Sequence, residues 1–166
     1  MTKNKKMHPH PENKIPLNLA LNYLALQPRS IHEIHLYLTK KGFDEDIVSS
    51  IIDLLMEYKY LDDRNFTKSF VESRVKNKPK SKFALTYELN KKGIDSNVIE
   101  DVLKDYDDYG LALKALEPKI RLWVPLNSEI FKKKIMNFLQ YRGFSYSISV
   151  EVNNHFNSIR AGKPRK

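Results

Sequence analysis

The sequence contains no cysteine, and this absence excludes several classes of site at once. A disulfide framework, a thiolate metal site and a cysteine nucleophile all need a residue that the chain lacks. The absence fits a reducing compartment. The chain also lacks a run of about 18 apolar residues, which a transmembrane helix needs, and its basic N-terminal stretch has no apolar signal core. We therefore expect a cytoplasmic protein with no membrane partner.

Glycine is scarce as well, with five residues in 166. Three of them are predicted to end helices, so no glycine-rich loop remains to hold a phosphate. His32 and His35 lack the spacing of a zinc-binding helix and have no third ligand, which argues against a metal site. The carboxylates cluster at predicted helix starts and on exposed rows, where capping and solvation explain them. We expect a protein that is not an enzyme and needs no cofactor or metal.

The net charge of +9 is distributed unevenly. Residues 1–14 and 160–166 carry seven of the nine net charges, and basic tails of this kind attract polyanions weakly. The body contains one basic block, residues 64–92, with nine Lys or Arg against two acids. Acidic blocks at 44–63 and 95–108 flank it. The basic block is therefore the part of the body best suited to an acidic partner.

One short pattern occurs three times along the chain. Gly42, Gly93 and Gly143 each follow a basic residue, and they are 51 and 50 residues apart. When the glycines are aligned, apolar residues fall into five columns at helical spacing. A period of this length suits three helices per unit, in an array whose neighbouring units share a core. The columns are Ile34, Leu85 and Ile135; Leu38, Leu89 and Leu139; Ile47, Val98 and Ile148; Ile51, Val102 and Val152; and Leu55, Tyr106 and Phe156.

The residues around each glycine predict a boundary between two helices. The basic residue faces the negative end of the first helix, so we interpret it as surface charge rather than as a binding group. The glycine takes a left-handed conformation, and Asp44, Asp95 or Ser145 caps the next helix. Asp62 and Asp63 lie at the start of another predicted helix, where capping explains them as well.

Proline turns separate the first and second helices of the first two units. Pro28 and Pro79 end two first helices, and Ser30 and Ser81 are placed to cap the helices that follow. In the third unit Pro118 lies inside the first helix, where we expect a kink or a break. The sequence predicts an all-α fold, an elongated right-handed-type array of three tandem three-helix repeats with about nine helices. The repeats are expected over 15–59, 60–106 and 107–159, between tails at 1–14 and 160–166.

The second unit opens with a motif that resembles a known family. Residues 60–74 are YLDDRNFTKSFVESR, and residues 75–95 continue as VKNKPKSKFALTYELNKKGID. This segment resembles the RecX family of bacterial regulatory proteins. The family's pattern has, in this order, a Leu-Asp-Asp, two aromatic residues four positions apart, an Arg, a Pro followed by a basic residue in a turn, and a Lys-Gly-Ile. The resemblance is most specific over 60–103 and extends to about 17–158 through the triplicated unit. The matching residues are Leu61, Asp62, Asp63, Phe66, Phe70, Arg74, Pro79 and Gly93.

The resemblance implies a partner and a function. A protein of this family binds the RecA recombinase filament on single-stranded DNA, lies along its helical groove, and inhibits filament extension, ATP hydrolysis, strand exchange and coprotease activity. It thereby modulates DNA repair, recombination and the SOS response. We expect a monomer with weak direct DNA binding. The residues expected to contact the partner or nucleic acid are Arg64, Lys68, Arg74, Lys76, Lys78, Lys80, Lys82, Lys91 and Lys92.

Several alternatives stay open at the level of sequence. The basic block also suits a sequence-independent DNA-binding helical repeat protein, whose affinity would fall steeply with salt, and an inert scaffold is a third alternative. Arg74 lies in the apolar band of its helix, so it either pairs with an acid on another helix or emerges at a partner surface. Phe83 and Tyr87 lie opposite Leu85 and Leu89, which favours packing between repeats over an aromatic binding patch.

Overall fold

The computed structural model describes residues 11–162, and within that range the regular structure is helical, with no strand. A short 3-10 turn at Pro11–Asn13 precedes nine α-helices in the described part of the chain. The predicted all-α array of three three-helix units is confirmed. The helices are α1 (Lys14–Leu26), α2 (Ile31–Lys40), α3 (Glu45–Glu57), α4 (Asp63–Asn77), α5 (Lys82–Lys91), α6 (Ser96–Leu103), α7 (Asp108–Trp123), α8 (Ser128–Tyr141) and α9 (Tyr146–Ala161).

The apolar columns of the sequence form the cores of the three units. Two columns on the second helices are completely buried, and each unit builds its own cluster around them. Full burial of one such side chain stabilises the fold by about 1.5–3 kcal/mol, so the second helix anchors its unit. The completely buried residues of these columns are Ile34, Leu85, Ile135, Leu38, Leu89 and Leu139.

The three repeated glycines end the second helices in the left-handed conformation, as predicted. Their φ angles are 89° at Gly42, 70° at Gly93 and 86° at Gly143. In each turn the amide of the residue after the glycine donates to the carbonyl of a buried column leucine, for example from Ile94 to Leu89 at 3.2 Å. The turn thereby satisfies a carbonyl that the helix end would leave without a partner.

One local expectation is wrong, and a second is wrong in part. Asp44 lies at the N-cap of α3, but its side chain makes no capping hydrogen bond, because this helix start is exposed and water can satisfy its amides. Of the kink or break expected at Pro118, the break does not occur, since α7 runs through Pro118 and is 16 residues long. Pro118 is exposed and removes one backbone donor, whereas Ala115 and Leu116 keep the helix packed in the core.

The two ends of the chain are described to different extents. Residues 1–10 and 163–166, which belong to the expected tails, lie outside the described residues. Arg160, the first residue of the expected C-terminal tail, lies in the last turn of α9. Its guanidinium is 4.2 Å from the centroid of the Phe131 ring and donates to the Leu126 carbonyl. Arg160 therefore packs on the third repeat.

Candidate partner surface and the junctions between repeats

The first junction joins the start of α2 to the second repeat. Asp63 Oδ1 accepts a hydrogen bond from the Ile31 amide at 2.8 Å, and the Ser30 hydroxyl donates to the Lys92 carbonyl at 2.6 Å. Ser30 also accepts from the Glu33 amide at 3.1 Å, which confirms its predicted role as a cap and forms a capping box with Glu33. Groups from two helices of the second repeat therefore complete the N-terminus of a helix in the first.

The second junction repeats this arrangement between the second and third repeats. Asp108 Oδ1 accepts from the Lys82 amide at 2.7 Å, and the Ser81 amide donates to the Arg142 carbonyl at 3.2 Å. The Arg142 side chain also donates to the Pro79 carbonyl at 3.1 Å. The start of α5 is thus held by an aspartate and a helix end of the following repeat. The second helices consequently follow one another end to end, in the order α8, α5, α2.

Two of the repeated glycines lie directly in these junctions. A β-carbon at Gly93 would be 2.4 Å from Cβ of His32, at the start of α2. A β-carbon at Gly143 would be 2.9 Å from Cβ of Ala84, at the start of α5. A β-carbon at Gly42 would meet nothing within 4 Å. Glycine therefore has a second function at Gly93 and Gly143, because it permits the close approach of the next repeat.

Asp63 has a role that the sequence analysis missed. Asp62 caps its own helix as expected, but Asp63 caps α2 of the preceding repeat. Burial raises the pKa of Asp63, the hydrogen bond from Ile31 opposes this, and the nearby charges of Asp62 and Glu33 raise it further. The signal that could have revealed the role is a second acidic doublet, residues 107–108, before the first helix of the third unit.

Arg74 pairs with an acid on another helix, which confirms one of the two alternatives. Its Nε donates to Glu88 Oε2 at 2.8 Å, and its guanidinium lies 4.6 Å from the Phe70 ring centroid. Lys80 binds the other oxygen of Glu88. Burial alone would raise the pKa of Glu88, but the hydrogen bonds from Lys80 and Arg74 outweigh it and lower the pKa. Two of the expected partner-binding cations are thus engaged inside the second repeat.

Glu88→Gln is expected to make the free energy of unfolding less dependent on pH in the acidic range. At neutral pH the variant should be less stable than the parent by about 1 kcal/mol, since two cations lose a charged partner. Folding lowers the pKa of Glu88 below its ordinary value of 4.5. The contribution of Glu88 to the free energy of unfolding is therefore fully present above pH 4.5 and is lost as the pH falls through the lowered pKa of the folded state. Urea unfolding at neutral pH and at about pH 3 measures this difference. A stability gap that stays constant over that range would contradict the ion-pair role of Glu88.

Lys92 belongs to the first junction. Its ammonium is 2.8 Å from Glu33 Oε1 on α2, and Arg29 approaches the same oxygen at 3.8 Å. Burial favours protonation of Glu33, but the Lys92 and Ser30 hydrogen bonds, with the Lys92 and Arg29 charges, lower its pKa overall. The interpretation of Lys92 as surface charge is therefore wrong, because stacking of the repeats brings Glu33 to it.

The other expected cations lie on the surface of the second repeat. Arg64 pairs with Asp101 on α6, and the Lys104 ammonium lies 2.8 Å from the same carboxylate. The hydrogen bond from Lys104 and the Arg64 charge lower the pKa of Asp101. Lys82 is half-buried, and its amide serves the second junction. The exposed members of the set are Arg64, Lys68, Lys76, Lys78 and Lys91.

The remaining motif residues are structural. Leu61 and Phe66 are buried, and the Phe66 and Phe70 rings stack with their centroids 6.0 Å apart. Pro79 is buried at the turn before α5. Of the motif as a whole, Asp63, Pro79 and Gly93 serve junctions between repeats, and Leu61 is buried in the core of the first repeat. The others shape the second repeat itself.

The aromatic residues on α5 contradict the packing expected for them. Phe83 and Tyr87 are 77% and 56% exposed. The junctions bury the ends of α5 rather than its outer face, so this face has no neighbouring repeat to cover it. The Lys91 ammonium lies 4.4 Å from the Tyr87 ring centroid. The outer face of α5 therefore carries an aromatic and basic surface.

The residues that could supply other chemistry do not gather into a site. His35 lies 2.9 Å from Glu45 on the surface. Across residues 11–162, no three or more histidines, aspartates and glutamates are placed to hold a metal ion. No helix in this part of the chain is long and apolar enough to span a membrane.

Models of RecX domains match the chain in three consecutive segments. The first, second and third three-helix domains of RecX match residues 17–55, 62–103 and 105–152. The structure also resembles the crystal structure of RecX from Lactobacillus salivarius, with a TM-score of 0.74 and 28% identity, over 89% of this chain and 97% of that one.

Proteins called Regulatory protein RecX are related to the chain over most of its length. The one from Chlorobium phaeobacteroides (strain BS1) is 33% identical over 148 residues, which cover 89% of this chain and 97% of that protein. The one from Streptococcus sanguinis (strain SK36) is 32% identical over 139 residues, which cover 83% of this chain and 54% of that protein. The chain thus spans about half the length of that longer relative. With three matching domains in order and this identity, the chain belongs to the RecX family of regulatory proteins.

Proposed function

We propose that this protein regulates a RecA-type recombinase by binding its filament on single-stranded DNA. Binding inhibits filament extension, ATP hydrolysis, strand exchange and coprotease activity, and so modulates DNA repair, recombination and the SOS response. The observation that carries the proposal is the ordered match of all three repeats to the three RecX domains, over residues 17–152. The protein acts in the cytoplasm, as a monomer.

The geometry supports regulation by binding rather than by catalysis. The carboxylates at the junctions cap helices, as Asp63 and Asp108 do, and Glu33 and Glu88 are held in ion pairs. Asp63, Asp108 and Glu33 fix neighbouring repeats to one another, whereas Glu88 acts within the second repeat. These contacts leave long outer surfaces for a partner. A helical repeat array of this kind recognises a large partner through the shape and charge of such a surface.

The test is DNA-dependent ATP hydrolysis by the cognate recombinase filament. Hydrolysis is expected to fall progressively as the protein is added, because a bound regulator prevents the filament from growing and turning over. Undiminished hydrolysis at saturating protein would contradict the proposal. Hydrolysis by the same filament with the heat-unfolded protein added controls for non-specific effects of a basic chain.

Sequence-independent DNA binding is a second candidate, and one observation favours it. Lys68, Lys76 and Lys78 are exposed and form no ion pair with any described residue, so they are available to phosphates. Binding through such contacts weakens steeply with salt, with a slope of about 0.9 per phosphate contact on duplex DNA. If DNA binding were the whole function, inhibition would disappear with bare-DNA affinity as salt rises. Under the proposed function, inhibition persists at salt that abolishes bare-DNA binding.

A further inference from the structure

The exposed aromatic pair on α5 is part of a longer surface. The repeat spacings of 51 and 50 residues place the outer faces of α2 and α8 at positions equivalent to Phe83, Tyr87 and Lys91. All of these positions are exposed, and Tyr141 on α8 is 84% exposed. The nine residues, which we call the outer ridge, are His32, Leu36, Lys40, Phe83, Tyr87, Lys91, Lys133, Asn137 and Tyr141.

The junctions set the order of the three parts of the outer ridge. The second helices meet end to end, since Arg142 after α8 contacts the start of α5, and Lys92 after α5 contacts the start of α2. Tyr141 and Phe83 therefore flank the second junction, and Tyr87 lies one helical turn beyond Phe83. The exposed aromatic residues Tyr141, Phe83 and Tyr87 are consequently neighbours in the middle of the ridge.

The charge of the outer ridge is of one sign. It contains three lysines, Lys40, Lys91 and Lys133, and no acidic residue, although 20 of the 166 residues are acidic. Residues 1–10 and 163–166 carry six Lys or Arg and no acid, so electrostatic repulsion disfavours these segments as a cover for the ridge. The surface is complementary instead to a partner with apolar pockets between acidic groups.

We propose that the outer ridge is the surface that docks on the recombinase, with Phe83 and Tyr87 as its anchors. This inference rests on the proposed function and assigns a surface to it. Exposed aromatic side chains that become buried in pockets supply most of the energy of many protein interfaces, and lysines at the rim add specificity for an acidic partner.

The composition of the ridge favours a protein over a nucleic acid as its occupant. Three lysines in nine positions are few for a surface that follows a phosphate backbone. The Lys91 ammonium also covers one face of the Tyr87 ring, the kind of surface on which a base would stack. A protein pocket can instead enclose the exposed edges of both rings.

The test compares Phe83→Ala/Tyr87→Ala with Tyr60→Ala/Tyr146→Ala, a pair of exposed tyrosines outside the ridge. Fluorescence anisotropy of the labelled chain measures its affinity for the cognate recombinase filament and for bare single-stranded DNA of the same length. The ridge variant should bind the filament at least about 30-fold more weakly, and the control should stay within about threefold of the parent. Bare-DNA affinity should be the same for all three proteins.

A second variant keeps the test independent of folding. Leu85 and Leu89 hold α5 in the core, so the ridge variant should unfold at the parent's temperature, as circular dichroism will show. Lys91→Glu/Lys133→Glu alters no buried side chain and, apart from the contact of Lys91 with the Tyr87 ring, changes only charge. It should weaken filament binding by about tenfold, because its charges repel acidic groups of the partner.

Each other outcome would overturn a specific claim. Parent-like filament binding by both ridge variants would show that the ridge is not the docking surface, while the proposed function would stand. A loss that is equal on filament and bare DNA would identify nucleic acid as the occupant. If the parent protein does not bind the filament, the proposed function fails, and the recombinase is excluded as the partner of the ridge.

Discussion

Gly93→Ala and Gly143→Ala are each expected to lower the free energy of unfolding by about 2–4 kcal/mol, whereas Gly42→Ala should lower it by about 1 kcal/mol. All three glycines have positive φ, so alanine is strained at each. Only at Gly93 and Gly143 would the new methyl group overlap the preceding repeat. The atoms it would meet include the β-carbons of His32 and Ala84, which side-chain rotation cannot move away.

Gly42→Ala is the matched control for this series, because it has the same backbone conformation without a neighbour. Urea unfolding of the three variants measures the free-energy differences. If the free energy of unfolding falls equally in all three variants, backbone strain alone accounts for the destabilisation. The repeats would then not approach each other as closely as the structure indicates.

Asp63→Ala and Asp108→Ala are each expected to cost about 1–3 kcal/mol, because each removes the acceptor of a helix-start amide in the preceding repeat. The Asn variants keep an oxygen acceptor and remove a partly desolvated charge, so they should restore most of the loss. At Asp63 this restoration is favoured further, since burial already raises its pKa. Asp44→Ala should cost less than about 0.5 kcal/mol, since Asp44 makes no capping bond.

Thermal unfolding followed by circular dichroism compares the alanine variants, the Asn variants and Asp44→Ala. If Asp63→Ala destabilises the protein no more than Asp44→Ala does, the assignment of Asp63 to the junction is contradicted. Asn variants as unstable as the alanine variants would show that the negative charge, rather than the acceptor oxygen, stabilises the helix start.

Much of the fold follows from local sequence chemistry. The left-handed glycines, the Ser30 capping box and the buried columns depend on residues within one or two helical turns, so period and spacing predict them. The start of α4 at Asp63 and its end before Pro79 follow from capping and proline signals in the same way. Tandem repetition strengthened each inference, because every signal occurs more than once.

The candidate surface could be predicted less well, because it depends on how the repeats stack. Lys92 and Glu33 are 59 residues apart in sequence but share an ion pair, and nothing in their local pattern indicates it. Lys80 was expected to contact the partner or nucleic acid, and its ion pair with Glu88 was not foreseen. Phe83 was expected to pack between repeats, but the junctions use helix ends and leave its face open. Such pairings depend on the stacking geometry, which spacing along the chain does not specify.

Co-sedimentation with preformed filaments of the cognate recombinase tests the central claim most directly. At about 0.2 M salt, where contacts to phosphate alone are strongly weakened, the protein should pellet with the filament to saturation and stay in solution with bare single-stranded DNA. Failure to pellet with the filament, or equal pelleting with bare DNA, would contradict the account.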